Sequence, residues 1–238
     1  MTCKNCNQEV NGNFCSNCGH PKNLKRIDSQ YIIHEIENVL EFERGILFTV
    51  KELLINPGHS IKNYLAENRN QFVKPIVFII LTSLFYTFCN EYFRFEEEYV
   101  KYTESNLSAV NDVNRWIREN YGYSNILMGF LIAFWTKLFF RKHDFNFFEV
   151  LVLLCFVMGI GMLIYSVFGI IQGLIHVEMI QVAQVAGFVY TTWAVGQFYG
   201  KSRLSSYVKA FSAYLLGMLS FSTIAILSGV LMDIMIKP

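Results

Sequence analysis

The chain has 238 residues, 53% of them hydrophobic and only 16% charged, where a soluble domain carries about 25% charged residues. That balance argues against an ordinary soluble domain. With a formal net charge of +1 and no Lys/Arg block interleaved with aromatics, no nucleic-acid partner is expected.

The charges are unevenly spread. Up to Lys74 there are 9 basic and 8 acidic residues, and from Asn120 onward charges are sparse between long apolar runs. The pattern predicts a small polar N-terminal part followed by a membrane part. No basic start leads directly into an apolar signal core, so the N-terminus is expected to stay in the cytoplasm.

The first element is cysteine-based. Cys3 and Cys6 form one CxxC pair, Cys15 and Cys18 a second, with eight residues between them. Each knuckle aims two thiolates at one centre, and Zn²⁺ takes four such ligands in a tetrahedron. Gly19 follows the second knuckle, where a tight turn favours positive φ. Asn11-Gly12 supplies a hairpin-type turn between the knuckles. The expectation is a short ribbon whose folding energy comes from structural Zn²⁺. A disulfide pair or a redox dithiol is the alternative, disfavoured in a reducing compartment. Four thiolates leave no open position for a catalytic metal, and His20 reads as a bystander. Cys89 and Cys155 fall in apolar segments and read as small buried hydrophobes.

Amphipathic helices are predicted next. Ile32, Ile33, Ile36, Val39 and Leu40 recur at helical spacing from about Ser29, and Arg44-Gly45 interrupts. Ile46, Leu47, Val50, Leu53 and Leu54 form a second stripe, ended by Asn56-Pro57-Gly58. Ser60 is placed as the cap of a third short helix carrying Ile61, Tyr64 and Leu65. These helices are too short and too charged to span. Two arrangements stay open: lying on the inner membrane face with their basic residues near anionic headgroups, or packing on one another and on the bundle.

Five later stretches are long enough to cross at about 20 residues each. They run from Phe72 to Asn90, Tyr123 to Phe140, Phe148 to Ile175, Met179 to Tyr199 and Tyr207 to Met235. The fourth is the weakest because of its glutamines; a re-entrant fourth segment would move the C-terminus to the other side. With five spans, Arg69 and Lys74, then Lys137, Arg141 and Lys142, then Lys201, Arg203 and Lys209 share one side. The loop 90–122 on the other side holds 7 acidic and 4 basic residues. The positive-inside rule then gives a cytoplasmic N-terminus and a periplasmic C-terminus. Within that loop Leu107, Val110, Val113, Trp116 and Ile117 make another amphipathic stripe, fitting a surface helix or a cap. Glu96, Glu97 and Glu98 do not share one helix face, which argues against a metal site there.

Polar groups inside a membrane are candidates for function. Gln172, His176, Glu178 and Gln181 are predicted to cluster near the outer surface, with Gln184 on the Gln181 face and Gln197 farther down. The competing explanation is interhelical hydrogen bonding beside a wet turn. Lys137 can snorkel to the inner end of its span, and Asp233 lies near the outer end of the last. Gly169-xxx-Gly173 and Gly196-xxx-Gly200 allow close helix approach and leave a homo-oligomer open. Gly159 and Gly161 are placed to bend or thin the third span. There is no HExxH, no phosphate-binding glycine loop, no paired acids on a span and no Ser-His-Asp set, so no catalytic residue is assigned.

The CxxC pairs followed by GHPKNLKRID, and the run FTVKELLINPGHSIKNYLAENRNQFVKPIVFIILTSLFY, resemble a bacterial membrane family, domain of unknown function 3667. Phe48, Thr49, Leu53, Pro57, Gly58, Ile61, Tyr64, Arg69, Lys74 and Pro75 sit on that pattern, which covers the first 90 residues; the remainder is similar only as a run of spans. The resemblance implies a cytoplasmic zinc ribbon with a multi-span tail, and no reaction. The predicted fold is an all-α polytopic membrane protein of about five transmembrane helices with a small N-terminal zinc ribbon. Its divisions are a ribbon over 1–22, cytoplasmic or interfacial amphipathic helices over 23–71, and a transmembrane bundle over 72–238 with the outer loop 91–122. The leading functional reading is a bacterial inner-membrane protein, in contact with the lipid bilayer, whose ribbon docks a cytoplasmic protein partner. Transport of an ion, lipid or small solute is the alternative, which would need a continuous polar path through Gln181 and Gln184. A membrane-embedded enzyme comes third.

Overall fold

A computed structural model describes residues 2–3, 5–9, 12–19, 45–66, 69, 71–95 and 108–236. The helix placed from Ser29, Asn11 of the hairpin turn, His20, Glu96 to Glu98 and Leu107 lie outside the described residues. The chain divides into two compact units, residues 1–44 and 45–238.

The described residues of the second unit are helical in order. Helix α1 covers 45–55, α2 Pro57–Ala66, α3 Pro75–Phe93, α4 Ser108–Glu119, α5 Tyr121–Phe139, α6 Phe147–Ile175, α7 Ile180–Gly200 and α8 Leu204–Ile236. The five predicted spans are α3 and α5 to α8, with ends within three residues of those expected. Local chemistry places the ends. Pro75 opens α3 from an extended Lys74, as proline at the first helical position does. Asn146 and Glu149 form a reciprocal capping box at the start of α6. Arg94 and His176 close α3 and α6 in the left-handed conformation.

Among the described residues, three helices are long and apolar enough to cross a membrane: Pro75–Phe93, Phe147–Ile175 and Leu204–Met235. The apolar run of α5, Tyr123–Phe139, is shorter, and α7 is diluted by its glutamines. The neighbours of α7 nonetheless settle its course. It starts at Ile180, in a buried cluster with Tyr86, Cys89, Phe95 and Met162. It ends where Tyr199 stacks on Phe140, with ring centroids 3.8 Å apart. It therefore runs the length of the bundle and is not re-entrant.

Helix α6 is the central element, packed against α3, α5 and α7, while α8 lies against α4, α5 and α7. The outer faces of α3 and α8 remain apolar and exposed, for example Leu84, Phe88, Leu219, Leu227 and Leu231, as a lipid-facing surface requires. At 33 residues α8 is about 50 Å long, well beyond a hydrocarbon core of about 30 Å. Its projecting part is covered by α4. A Cβ on Gly229 would lie 2.8 Å from the Val110 Cα, and one on Gly217 2.7 Å from the Ile132 Cα of α5. These two glycines let neighbouring backbones touch α8. Trp135 adds a bond from its indole N–H to the Ser220 hydroxyl, 3.0 Å.

Several expectations change. Ser60 does not cap a helix: α2 already begins at Pro57, and the Ser60 hydroxyl, buried, donates to Glu52 at 3.3 to 3.4 Å. Gly45 is the first described residue of α1, its carbonyl accepting the Thr49 hydroxyl, and the break expected at Arg44-Gly45 borders residues outside those described. Asp233 is buried, although its place near a helix end suggested exposure. Both glycine pairs are filled from within the chain. A Cβ at Gly169 or Gly173 would meet the Phe95 or Phe93 ring at 2.4 Å, and one at Gly196 the Tyr207 ring at the same distance. Gly159 makes room for Phe78, whereas Gly161 faces nothing within 4 Å.

Candidate metal centre and the interfacial platform

In the first unit the two knuckles are the same turn built twice. The Asn7 N–H donates to the Cys3 carbonyl (3.0 Å) and the Gly19 N–H to the Cys15 carbonyl (2.9 Å). Asn7 and Gly19, each directly after the second cysteine of its pair, have φ of 58° and 71°. Asparagine and glycine are the residues that tolerate that conformation. An antiparallel bridge between Thr2 and Glu9 and the bond from Cys3 N to Gln8 O close the first knuckle.

This folding brings the four Sγ atoms of Cys3, Cys6, Cys15 and Cys18 within 4.8 Å of one another. Cys3–Cys18 and Cys6–Cys15 each lie at 3.5 Å. A disulfide needs about 2.05 Å, and all six cysteines are free thiols. A tetrahedral ion with metal–sulfur bonds of about 2.3 Å has sulfurs about 3.8 Å apart, so the set fits such an ion. The backbone also favours thiolate. The Asn5 N–H points at Cys3 Sγ (3.4 Å) and, with the Cys6 N–H, holds that thiol below its ordinary pKa against the opposing effect of burial. The Gln8 N–H, then Cys18, does the same for Cys6.

The five residues of the expected polar cluster sit differently from one another. Gln172 is buried, and its amide is fully used. Nε2 donates to the Phe95 carbonyl (3.2 Å), and Oε1 accepts the Met179 and Ile180 N–H groups at 2.8 and 3.1 Å. It thus caps the start of α7 and ties it to the end of α3. His176 is the left-handed cap of α6, and His176, Glu178 and Gln181 are exposed, with Gln184 half-buried. No hydrogen bond joins any two of these side chains among the described residues.

A second constellation was not legible in the sequence. Helices α1 and α2 form a platform packed on one end of the bundle. Leu53 and Ile61 are fully buried, and Tyr64 and Phe72 pack edge-on against Phe156 of α6. Thr49 Oγ1 accepts the Val73 N–H at 3.1 Å, and the Tyr190 hydroxyl of α7 donates to the Leu53 carbonyl at 2.9 Å. Closest of all, the Gly58 N–H donates to Gln197 Oε1 at 2.7 Å. A Cβ on Gly58 would lie 2.5 Å from Phe198 N and 2.6 Å from Gln197 C, so only glycine fits. The available signal was a glutamine inside an apolar helix and a Pro-Gly pair outside it.

Residues 43–87 match the family described as protein of unknown function (DUF3667). No curated protein and no solved structure matches the chain. Of the residues that carried the resemblance, the ten from Phe48 to Pro75 fall in the matched segment, while the CxxC pairs and the GHPKNLKRID run that follows them lie outside it. The match spans α1, α2 and part of α3 and shows that this segment is similar to the family of proteins of unknown function DUF3667.

Proposed function

We propose that this is a multi-span protein of a bacterial inner membrane whose cytoplasmic four-cysteine module holds one structural Zn²⁺ and docks a protein partner. The carrying observation is the pair of matching knuckles that converge four thiols within the first compact unit. Zinc suits the donor set because four thiolates favour a soft tetrahedral ion. The metal would supply folding energy to a unit whose described buried apolar residues are two of its own cysteines, Cys3 and Cys15.

The orientation rests on charge. Lys62, Arg141, Lys142, Lys201, Arg203 and Lys209 gather at the platform end, which the positive-inside rule assigns to the cytoplasm. The C-terminus is then periplasmic. The buried glutamines favour bundle assembly over solute passage, since Gln172 and Gln197 both bond to backbone groups.

The test is crosslinking and pull-down from native membranes, comparing wild type with Cys15→Ser/Cys18→Ser at matched expression. A partner lost only in the variant supports docking. An unchanged set of partners contradicts it and moves the function to the bundle.

A further inference from the structure

At the platform end, an open groove of roughly 600 Å³ lies between α2 and the end of α7, lined in part by His59, Lys62, Gln197 and Lys201. More cations stand close by. Lys62 Nζ lies 5.5 Å from the centroid of the Phe198 ring, and Lys209 Nζ 5.9 Å from that of Phe140. Phe140 stacks on Tyr199, which also meets His143 edge-on at 5.1 Å. The His143 imidazole feels Lys62, Arg203 and Lys209 together, opposed by Asp144. Glu149 has its carboxylate on the Asn146 N–H in the capping box.

Lys62 of α2 and Lys201 at the α7–α8 turn line the groove, and Arg203 and Lys209 stand beside it, near His143. Among the described residues the ion pair is Arg115–Asp112, in α4, and none of these four is paired. Four cations outnumber the Asp144 carboxylate beside His143, so like charges repel, and an anion in the groove would offset that repulsion. The surroundings indicate where that anion comes from. Leu204 and Val208 directly follow the basic turn and are exposed, as are Leu47, Leu54 and Ile55 of α1. A basic groove with exposed apolar side chains on the neighbouring elements α1 and α8, at the level where membrane helices end, matches a headgroup with acyl chains beside it.

We propose that this groove binds the phosphate of an anionic phospholipid headgroup, through Lys62, Lys201, Arg203 and Lys209. Its named residues all belong to the second unit.

The test uses the full-length protein in neutral maltoside micelles, with bound lipid read by native mass spectrometry. Phosphatidylglycerol, phosphatidylcholine and inorganic phosphate are the three probes. Wild type should retain phosphatidylglycerol in preference to phosphatidylcholine. Each basic residue near an anionic headgroup is worth about fivefold, so Lys62→Gln/Lys201→Gln should weaken retention about 25-fold. Arg115→Gln, at the opposite end, should retain lipid as wild type does. Both variants replace exposed side chains, and lipid-free melting temperatures equal to wild type confirm that they fold. Equal retention of the two lipids, or unchanged retention in the double variant, would overturn the proposal. So would binding of inorganic phosphate with no preference for phosphatidylglycerol, which would make the ligand free phosphate instead.

Discussion

Replacing Gly58 by alanine tests the closest contact in the structure. The added Cβ would sit 2.5 Å from Phe198 N, 2.6 Å from Gln197 C and 2.9 Å from Gln197 O. All three are backbone atoms of a helix held in the bundle, so no side chain can swing aside. Reaching an ordinary contact of about 3.4 Å would require α2 to retreat by about 0.9 Å. That retreat would stretch the 2.7 Å bond from Gly58 N–H to Gln197 Oε1 to about 3.6 Å, beyond hydrogen-bonding range. Overpacking costs about 1–3 kcal/mol and an orphaned buried donor about 1–3 kcal/mol, so the total is about 2–6 kcal/mol. Gly161→Ala is the comparator, because its Cβ would meet nothing within 4 Å. Helix propensity alone then predicts a neutral to slightly stabilising change of about 0.5–1 kcal/mol. The assay is thermal unfolding of the full-length protein in maltoside micelles. A Gly58→Ala protein that melts with wild type would refute the argument that α2 is locked on α7.

Three other outcomes follow from the same geometry. Gly169→Val should lower stability by about 1–3 kcal/mol by displacing the Phe95 ring, with the oligomeric state by light scattering unchanged, because the glycine surface is filled in cis. Burial, and then Lys62, Arg203 and Lys209, hold the His143 pKa below its ordinary value of 6.5. The unfolded chain therefore binds the proton more readily, and stability should be intact above pH 6.5 and fall as pH drops through the lowered folded value. His143→Gln should flatten that part of the melting-temperature profile; an unchanged profile would remove His143 as its cause. A C-terminal reporter active only in the periplasm is expected from the gathering of basic residues at the platform end, and one active only in the cytoplasm would reverse the orientation.

What could be read from the sequence was local and periodic. The CxxC spacing announced four converging thiols, and the Gly19 turn followed from the position after a knuckle. The spans were legible because long apolar runs need no knowledge of their neighbours. Contacts between distant segments were not legible. Gly58 and Gln197 are 139 residues apart, and neither position alone reveals that one helix lies on the other. The same holds for Gln172, whose amide resembles a solute-facing group until its partners at Phe95, Met179 and Ile180 are seen. Glycine pairs signal close approach without naming the partner, and here intramolecular Phe93, Phe95 and Tyr207 rings fill them. Ser60 was misplaced because Pro57, at the first helical position, outranks serine as the starting signal.

The central claim is that four cysteines form one metal centre on a membrane protein. Elemental analysis of the full-length protein, purified under reducing conditions without added metal, tests it directly. The account predicts one zinc per chain in wild type, loss of that zinc in Cys15→Ser/Cys18→Ser, and full retention in Cys89→Ser/Cys155→Ser. Wild-type protein without zinc or any other bound metal, or zinc unchanged in the Cys15→Ser/Cys18→Ser variant, would contradict it.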